Sequence, residues 1–324
     1  MDALSDVLRI VGLSGGVFMD AEFTAPWAVA GKVAPEHCRP FMVQPQQVVA
    51  FHYVVEGSFE LRIEGAPVCK LVAGEAVMLP HNDAHVFGSG GGLRAVAVKD
   101  LIDAPDAAGV IKLVHGGGGA RTRLVCGFLG GNDQLHPLLS SLPAVMKIDV
   151  AAMPGGDWIG RTFAYAAQTL ADGDPGAATV LAKLSEVLFV ESVRRYLSSL
   201  PPEQIGWLAG LRDPAIGRAL SLLHARVSED WTAEGLAREV NMSRSAFADR
   251  FAAIVGQPPM RYLTGWRMQL ARHKLLETRG TVSQIAYEVG YESEAAFTRA
   301  FRRECGAPPA TWRRQAAAGE GSVG

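Results

Sequence analysis

Apolar residues crowd the stretch 47–63 at short range: Val48, Val49, Phe51, Tyr53, Val54 and Val55, then Phe59, Leu61 and Ile63. Within it, Phe59-Glu60-Leu61-Arg62-Ile63-Glu64 alternates strictly, the period of a strand with one wet face. Glu56-Gly57-Ser58 breaks the run as a turn, so the pattern predicts a hairpin. Further strands are expected at 68–72 and 76–79, punctuated by Gly65, Gly74 and Pro80. Short strands at this spacing predict a sandwich or barrel over residues 1–150. The period then lengthens to that of helices, at 157–170 and 177–200. Asp174-Pro175 marks the start of the second, whose Val180, Leu181, Leu184, Val187, Leu188, Glu191 and Tyr196 fall near helical spacing. Residues 151–212 therefore read as a helical linker, its apolar face serving internal packing or a homodimer interface.

A more specific pattern follows, and it occurs twice. Ser243-x3-Phe247-x3-Phe251-x4-Gly256-x-Pro258-Pro259 recurs as Ser293-x3-Phe297-x3-Phe301-x4-Gly306-x-Pro308-Pro309, every landmark offset by 50 residues. Each serine suits an N-cap, where its hydroxyl accepts a free backbone N–H. The paired phenylalanines fall at i and i+4 on one helical face. Each glycine suits the left-handed position that stops a helix, and the prolines beyond cannot continue it. A shorter helix precedes each copy. The first spans 232–240, with Leu236, Ala237 and Val240 inward; the second spans 281–289, with Ile285, Ala286 and Val289 in the matching places. Thr281 and Gln284 have capping-box spacing. Two helices about a tight turn make a helix-turn-helix, whose second helix can enter a DNA major groove. One match would be a weak signal, because helical hairpins are common. Two in register are specific.

Residues 231–314 resemble the DNA-binding domain of AraC/XylS-type transcription regulators. The likeness is closest over Val289-Gly290-Tyr291-Glu292-Ser293, Phe297-Thr298-Arg299-Ala300-Phe301 and Pro308-Pro309. It implies two helix-turn-helix units joined by a long helix, here 260–278 with Arg267, Ala271 and Leu275 in the expected places. It also implies a sequence-specific transcription regulator rather than an enzyme. The implied partners are double-stranded DNA, a small effector, a second copy of the chain and RNA polymerase. Charge agrees with this division. Residues 213–315 carry 15 Lys+Arg against 11 Asp+Glu, a net of +4, while the remainder carries 16 against 22, a net of −6. Phosphate binding needs only a local basic surface, so the whole-chain charge of −2 does not argue against DNA.

The residues expected to face bases are Ser245, Ala246, Ala248 and Asp249 in the first unit and Glu294, Ala295, Thr298 and Arg299 in the second. Arg299 is the leading choice, because its forked donors match guanine O6 and N7. Arg244, Arg250, Arg267, Arg272, Lys274, Arg302 and Arg303 are expected on phosphates. A joining helix of about 19 residues spans roughly 28 Å, close to the separation of two successive major grooves.

The first 150 residues resemble the cupin barrel, through Gly74-x5-Pro80-x4-His85 and the turn 54–57, with Asn82 where glycine is usual. Pro26-Trp27 and Leu142-Pro143 add a likeness to the cupin-type sensor domains of AraC-type regulators. Metal-binding cupins place two histidines and a glutamate ahead of that turn. Those positions are Gln44, Gln46 and Ala50 here, and neither an alanine nor an amide is a useful transition-metal ligand. The expectation is no metal and no cofactor, with His52 and His85 lining an effector pocket. A metal site completed by His37, Cys38, His81 or Cys126 is the second reading.

The expected fold is α+β: a cupin-like β-barrel over 1–150, a helical linker over 151–212, an all-α double helix-turn-helix over 213–315, and a disordered tail over 316–324. No apolar run reaches the roughly 18 residues of a membrane span, and a cytoplasmic protein is expected. The four cysteines, Cys38, Cys69, Cys126 and Cys305, lack any CxxC spacing, which excludes a zinc ribbon and weighs against a disulfide framework. The glycine run 116–119 reads as a flexible loop without the Lys-Ser/Thr of a phosphate cradle. Two other readings are a cupin-type metal enzyme with an appended helical domain, and a DNA-repair protein with a methyl-accepting cysteine. The second lacks the clustered cysteines it would need.

Overall fold

A computed structural model describes residues 2–38, 45–102, 110–131, 137–150, 152–153, 156–201 and 204–321. The chain divides into two compact units. Helices α1 (Ala3–Val11) and α2 (Pro137–Ser140) belong to the second of them.

The first unit, residues 12–134 and 142–198, holds all the strands found among the described residues. These are β1 (Ser14–Thr24), β2 (Ala28–Gly31), β3 (Gln47–Glu56), β4 (Ser58–Ile63), β5 (Cys69–Val72), β6 (Glu75–Leu79), β7 (His85–Gly88), β8 (Val96–Ala97), β9 (Ile111–Gly116), β10 (Arg121–Gly131) and β11 (Met146–Asp149). A six-stranded sheet runs β11-β6-β3-β10-β1-β9 and a five-stranded sheet runs β5-β4-β7-β2-β8. Their inner faces share one core, which includes Phe23, Trp27, Phe59, Leu61, Phe87 and Phe128. The barrel is cupin-like but not closed. Alternation along β3 sends Ala50 and Val54 into that core, and sends Tyr53 outward to stack on Phe163 at 4.3 Å.

The expected hairpin at Glu56-Gly57-Ser58 is instead a corner between sheets. β3 pairs with β10 and β6, whereas β4 pairs with β5 and β7. Gly57, at φ +78°, turns the chain so tightly that a Cβ there would lie 2.3 Å from the Arg121 carbonyl oxygen. The run 116–119 is likewise held rather than free. Gly117 N–H donates to Thr24 O at 2.8 Å and Gly119 N–H to Ala25 O at 2.7 Å.

Helices α3 (Gly156–Asp172) and α4 (Ala177–Ser199) complete the first unit. Phe163 of α3 covers the outer side of β3, and α4 crosses close to β1. Glu186 accepts the Gly15 N–H at 2.9 Å, and a Cβ on Gly15 would meet the Ala182 carbonyl at 2.5 Å. Leu181, Leu184 and Leu188 are buried, while Val180, Val187 and Val190 remain exposed along α4. The separate linker expected over 151–212 is therefore not present as one body. Its first two helices pack with the six-stranded sheet, α3 against β1 and β3 and α4 against β1, each burying an apolar face there.

The second unit draws on three stretches: 1–11, 135–141 and 199–324. Its further helices are α5 (Trp207–Arg212), α6 (Pro214–Ala225), α7 (Ala233–Glu239), α8 (Arg244–Val255), α9 (Pro259–Glu277), α10 (Val282–Glu288), α11 (Glu294–Cys305) and α12 (Pro309–Gly321). Helix α1 packs on α6 and α9, and Ala3, Val7, Ile10 and Val11 are buried. Helix α2 packs on α5. The body that holds both helix-turn-helix copies thus recruits residues far outside the 213–315 expected for it. Its last helix also extends through Gly321, into the segment expected to be irregular.

Candidate nucleic-acid interface and sensor pocket

Both helix-turn-helix copies form as the repeat predicts. Thr232 caps α7 by accepting from Gly235 N–H, and Thr281 with Gln284 forms a full capping box on α10. Ser243 and Ser293 cap α8 and α11 by accepting from Ala246 and Ala296 N–H, each at 3.3 Å. Left-handed Gly256 (φ +84°) and Gly306 (φ +79°) stop the two helices. Phe247, Phe251, Phe297 and Phe301 are fully buried, which turns the opposite face of each helix to solvent. The linker α9 has 19 residues, as expected.

That solvent face holds the residues expected to meet bases. Ser245, Ala246, Asp249, Glu294, Ala295 and Arg299 are exposed; Ala248 and Thr298 are half-buried. The Arg299 guanidinium makes no ion pair or hydrogen bond among the described residues, so its donors are open. Asp249 is open in the same sense, because Arg250 reaches Asp213 instead, at 2.6 and 3.0 Å. Burial, the largest single effect, raises the Asp213 carboxyl, but two backbone N–H groups and the Arg250 guanidinium together outweigh it and hold the carboxyl below its ordinary range.

The basic residues divide. Arg244 and Arg302 are exposed and unpaired among the described residues. Arg303 is exposed but pairs with Glu304, and Lys274 pairs with Glu288 at 2.6 Å. Two expectations require correction. Arg272 is only 7% exposed and lies 5.5 Å from the centroid of the Trp312 ring, so it cannot reach a phosphate. Arg267 spends its donors on the Val227 and Glu229 carbonyls. Periodicity places both on α9 but does not tell an outward arginine from one stacked in the core. A further arginine passed over in the sequence is Arg313, which bonds the Leu275 and Gly280 carbonyls. The signal was its position shortly after Pro309, at the start of a closing helix.

In the first unit, His52 and His85 come together inside the barrel with Cys126. His85 Nδ1 lies 2.9 Å from the Asp83 carbonyl, so that nitrogen carries the proton and donates. His85 Nε2 is then an acceptor, and it takes the His52 Nε2–H at 2.9 Å. His52 Nδ1 in turn accepts from the Cys126 thiol at 2.8 Å. The chain Cys126–His52–His85–Asp83 has one direction and leaves no ring nitrogen free. Burial drives the His52 pKa well below its ordinary value, with the His85 charge adding to it; burial also lowers His85, against the pull of Asp83. Burial, with a smaller effect from Asp20, raises the Cys126 pKa far above a free thiol's.

A cavity of about 20 Å³ adjoins this chain, bordered by His52, His85, His37 and a mostly apolar set that includes Met19, Val33, Phe87, Ile102 and Ile111. That volume has room for about one water. His37 accepts the Ala34 N–H, Cys38 lies in the barrel core, and His81 faces Asp83 at the surface. His52 stands between His85 and Cys126 and offers each a different nitrogen, so one ion cannot take all three. Among the described residues, no group of three or more His, Cys, Asp or Glu could hold a metal. Gln44 lies outside the described residues; Gln46 is exposed and Ala50 is buried in the core. Asn82 takes the place usual for glycine because asparagine tolerates its φ of +51°, and its amide bridges the Val33 N–H and carbonyl.

The cupin family profile matches residues 2–198 and that of a helix-turn-helix domain matches 236–315. An AraC-like transcription regulator of Streptomyces lividans is 30% identical over 323 residues, covering 97% of this chain and 98% of its own. The chain belongs to the AraC-like transcription regulators. This AraC-like regulator is also similar to the HTH-type transcriptional regulator AlkR of Acinetobacter baylyi, 27% identical over 319 residues and spanning 97% and 100% of the two chains. Among solved structures, the DNA-binding domain of AdpA, crystallised with a target DNA, is 29% identical and covers 33% of this chain and 95% of its own, at a TM-score of 0.32. The family match makes the repeated helix-turn-helix a DNA-binding domain, joined to a cupin-like N-terminal domain. Among the described residues no helix is long and apolar enough to cross a membrane.

Proposed function

We propose that this regulator reads two successive major grooves with α8 and α11, and that a small effector in the barrel sets its output. The observation that carries the first part is the pair of capped helices, each presenting an exposed first turn from one domain built around α9. Arg299 supplies the main base contact and Asp249 a second, to a cytosine amine. Arg244, Arg250, Lys274, Arg302 and Arg303 supply phosphate contacts. The site is asymmetric and about two helical turns long. Nuclease footprinting on the DNA upstream of the regulator's own gene tests this; protection of a single turn would refute it.

The effector reading rests on the cavity beside His52 and His85. Because the two rings satisfy each other, a polar ligand group enters by exchanging for the His52–His85 bond. The apolar lining favours a small, mostly apolar effector, and the cavity must widen to take it. His52→Ala and His85→Ala should lock reporter output at one level while DNA binding by the helical unit persists. Normal induction in both variants would leave the barrel a purely structural module. The regulator works in the cytoplasm as a homodimer paired through the exposed Val180, Val187 and Val190 of α4, and contacts RNA polymerase at its promoters. A metal-dependent cupin enzyme has no observation of its own in favour.

A further inference from the structure

Arg267 bridges the two helix-turn-helix units. We propose that it fixes the register between α8 and α11, so that the regulator accepts only one spacing between the two halves of its DNA site. This depends on the two-groove reading above.

Its Nε donates to Val227 O at 3.0 Å and its Nη2 to Glu229 O at 2.8 Å. Both carbonyls lie in the loop that leads from α6 into α7, the opening of the first unit. The same guanidinium sits 5.8 Å from the centroid of the Tyr291 ring, in the turn that leads into α11. Gly290 comes closer still. At φ +85°, a Cβ on it would lie 2.7 Å from Arg267 Nη2 and 2.9 Å from Ser228 Cα. Three segments thus meet at one charged group: the linker α9, the loop opening the first unit, and the turn of the second. A planar guanidinium suits this place, because its fork takes two carbonyls while its face meets an aromatic ring. Lysine has neither the fork nor the face.

Arg313 provides an internal comparison. From α12 it donates through Nε to Leu275 O at 3.0 Å and through Nη2 to Gly280 O at 2.7 Å. Those carbonyls flank the connection from α9 to α10, the matching place in the second unit. Each unit is therefore closed by an arginine from the helix that follows it. Arg267 differs in also touching the other unit's turn.

The test uses the full chain and a duplex it selects from a random pool, with a second duplex carrying one base pair inserted between the two protected grooves. The insertion displaces one half-site by about 3.4 Å and turns it by about 34°. Wild type should bind the inserted duplex about 100-fold more weakly, as one set of base contacts is lost. Arg267→Ala and Arg267→Lys should bind the selected duplex about tenfold more weakly, yet lose less than about tenfold on insertion. Arg313→Ala should lower the unfolding midpoint and keep the full discrimination. Full discrimination in Arg267→Ala, or a salt slope reduced by about one phosphate contact, would overturn the proposal. If circular dichroism finds Arg267→Ala unfolded, Gly290→Ala carries the same comparison. A wild type indifferent to the insertion would instead sink the two-groove reading, and the clasp's role with it.

Discussion

Mild acid should weaken the barrel unit through His52 and His85. Both rings are buried and neutral, and each lone pair is used within the chain that starts at the Cys126 thiol. A proton can enter only by breaking that chain and charging the core. In the unfolded chain each ring keeps the ordinary pKa of 6.5. The folded pKa values are depressed, so the unfolded state binds more protons, and stability is complete above about pH 7.5 and falls as pH drops through 6.5. From pH 7.5 to 5.5 an unfolded histidine passes from about one-tenth to about nine-tenths protonated, which costs about 1.4 kcal/mol per ring if the folded ring stays neutral. The pair should therefore lose about 2.7 kcal/mol, an upper figure because Asp83 partly opposes the shift at His85. Urea titrations of the full chain at both pH values measure the loss. Repeating them with His52→Gln/His85→Gln removes the contribution of every other titrating group. Equal losses in wild type and variant would show that the rings are not held neutral, and would refute the directed chain.

Four other outcomes follow from named residues. Arg299→Ala should cost about 1–3 kcal/mol on the selected duplex and relax preference at one base pair; equal weakening on every sequence would assign Arg299 to a phosphate. Arg272→Ala should destabilise the second unit by about 1–3 kcal/mol, through loss of its packing on Trp312, and leave the salt dependence of DNA binding unchanged. A shallower salt dependence would return Arg272 to the DNA surface. With pairing through α4 as proposed, wild type should sediment as a dimer and Val187→Glu as a monomer in analytical ultracentrifugation; a variant that stays dimeric would place the interface elsewhere. Gly127→Ala should misfold the barrel or cost several kcal/mol, because its Cβ would lie 2.4 Å from both the Gly16 carbonyl and the Phe51 ring; an unchanged melting curve would contradict that packing.

The helical half was legible because its signals are local. Serine caps, left-handed glycines and phenylalanines four apart each act within one turn of helix, and all of them stand where the repeat put them. The sheet half was legible in its strands but not in their partners. The strict alternation at 59–63 fixes which side of β4 is buried, yet pairing depends on a corner that one glycine makes. His52 and His85 could be placed on an inward face by alternation alone. That Cys126 would join them needed the register of β10 on β3, where Cys126 stands opposite His52. Arg267 and Arg272 show the opposite limit. Both read as surface charge in a basic segment, and both are taken inward by aromatic or carbonyl partners distant in sequence. Helix α1 went unread although Ala3, Val7, Ile10 and Val11 fall at helical spacing, because no repeat supports its nine residues and its partners lie over 200 residues away.

That last distance has a meaning in time. Helix α1 leaves the ribosome ahead of every other described element, with Val7, Ile10 and Val11 uncovered. Its first partner, α6, begins at Pro214. At about 5–20 residues per second, roughly 10–40 s of synthesis separate the two. During that interval the barrel's strands emerge and can pair, while the apolar face of α1 waits. A nascent chain that stops short of α9 has neither its linker helix nor the second platform on which α1 rests. The unit that touches DNA is therefore completed late, and abortive translation products are poor candidates to occupy operator sites.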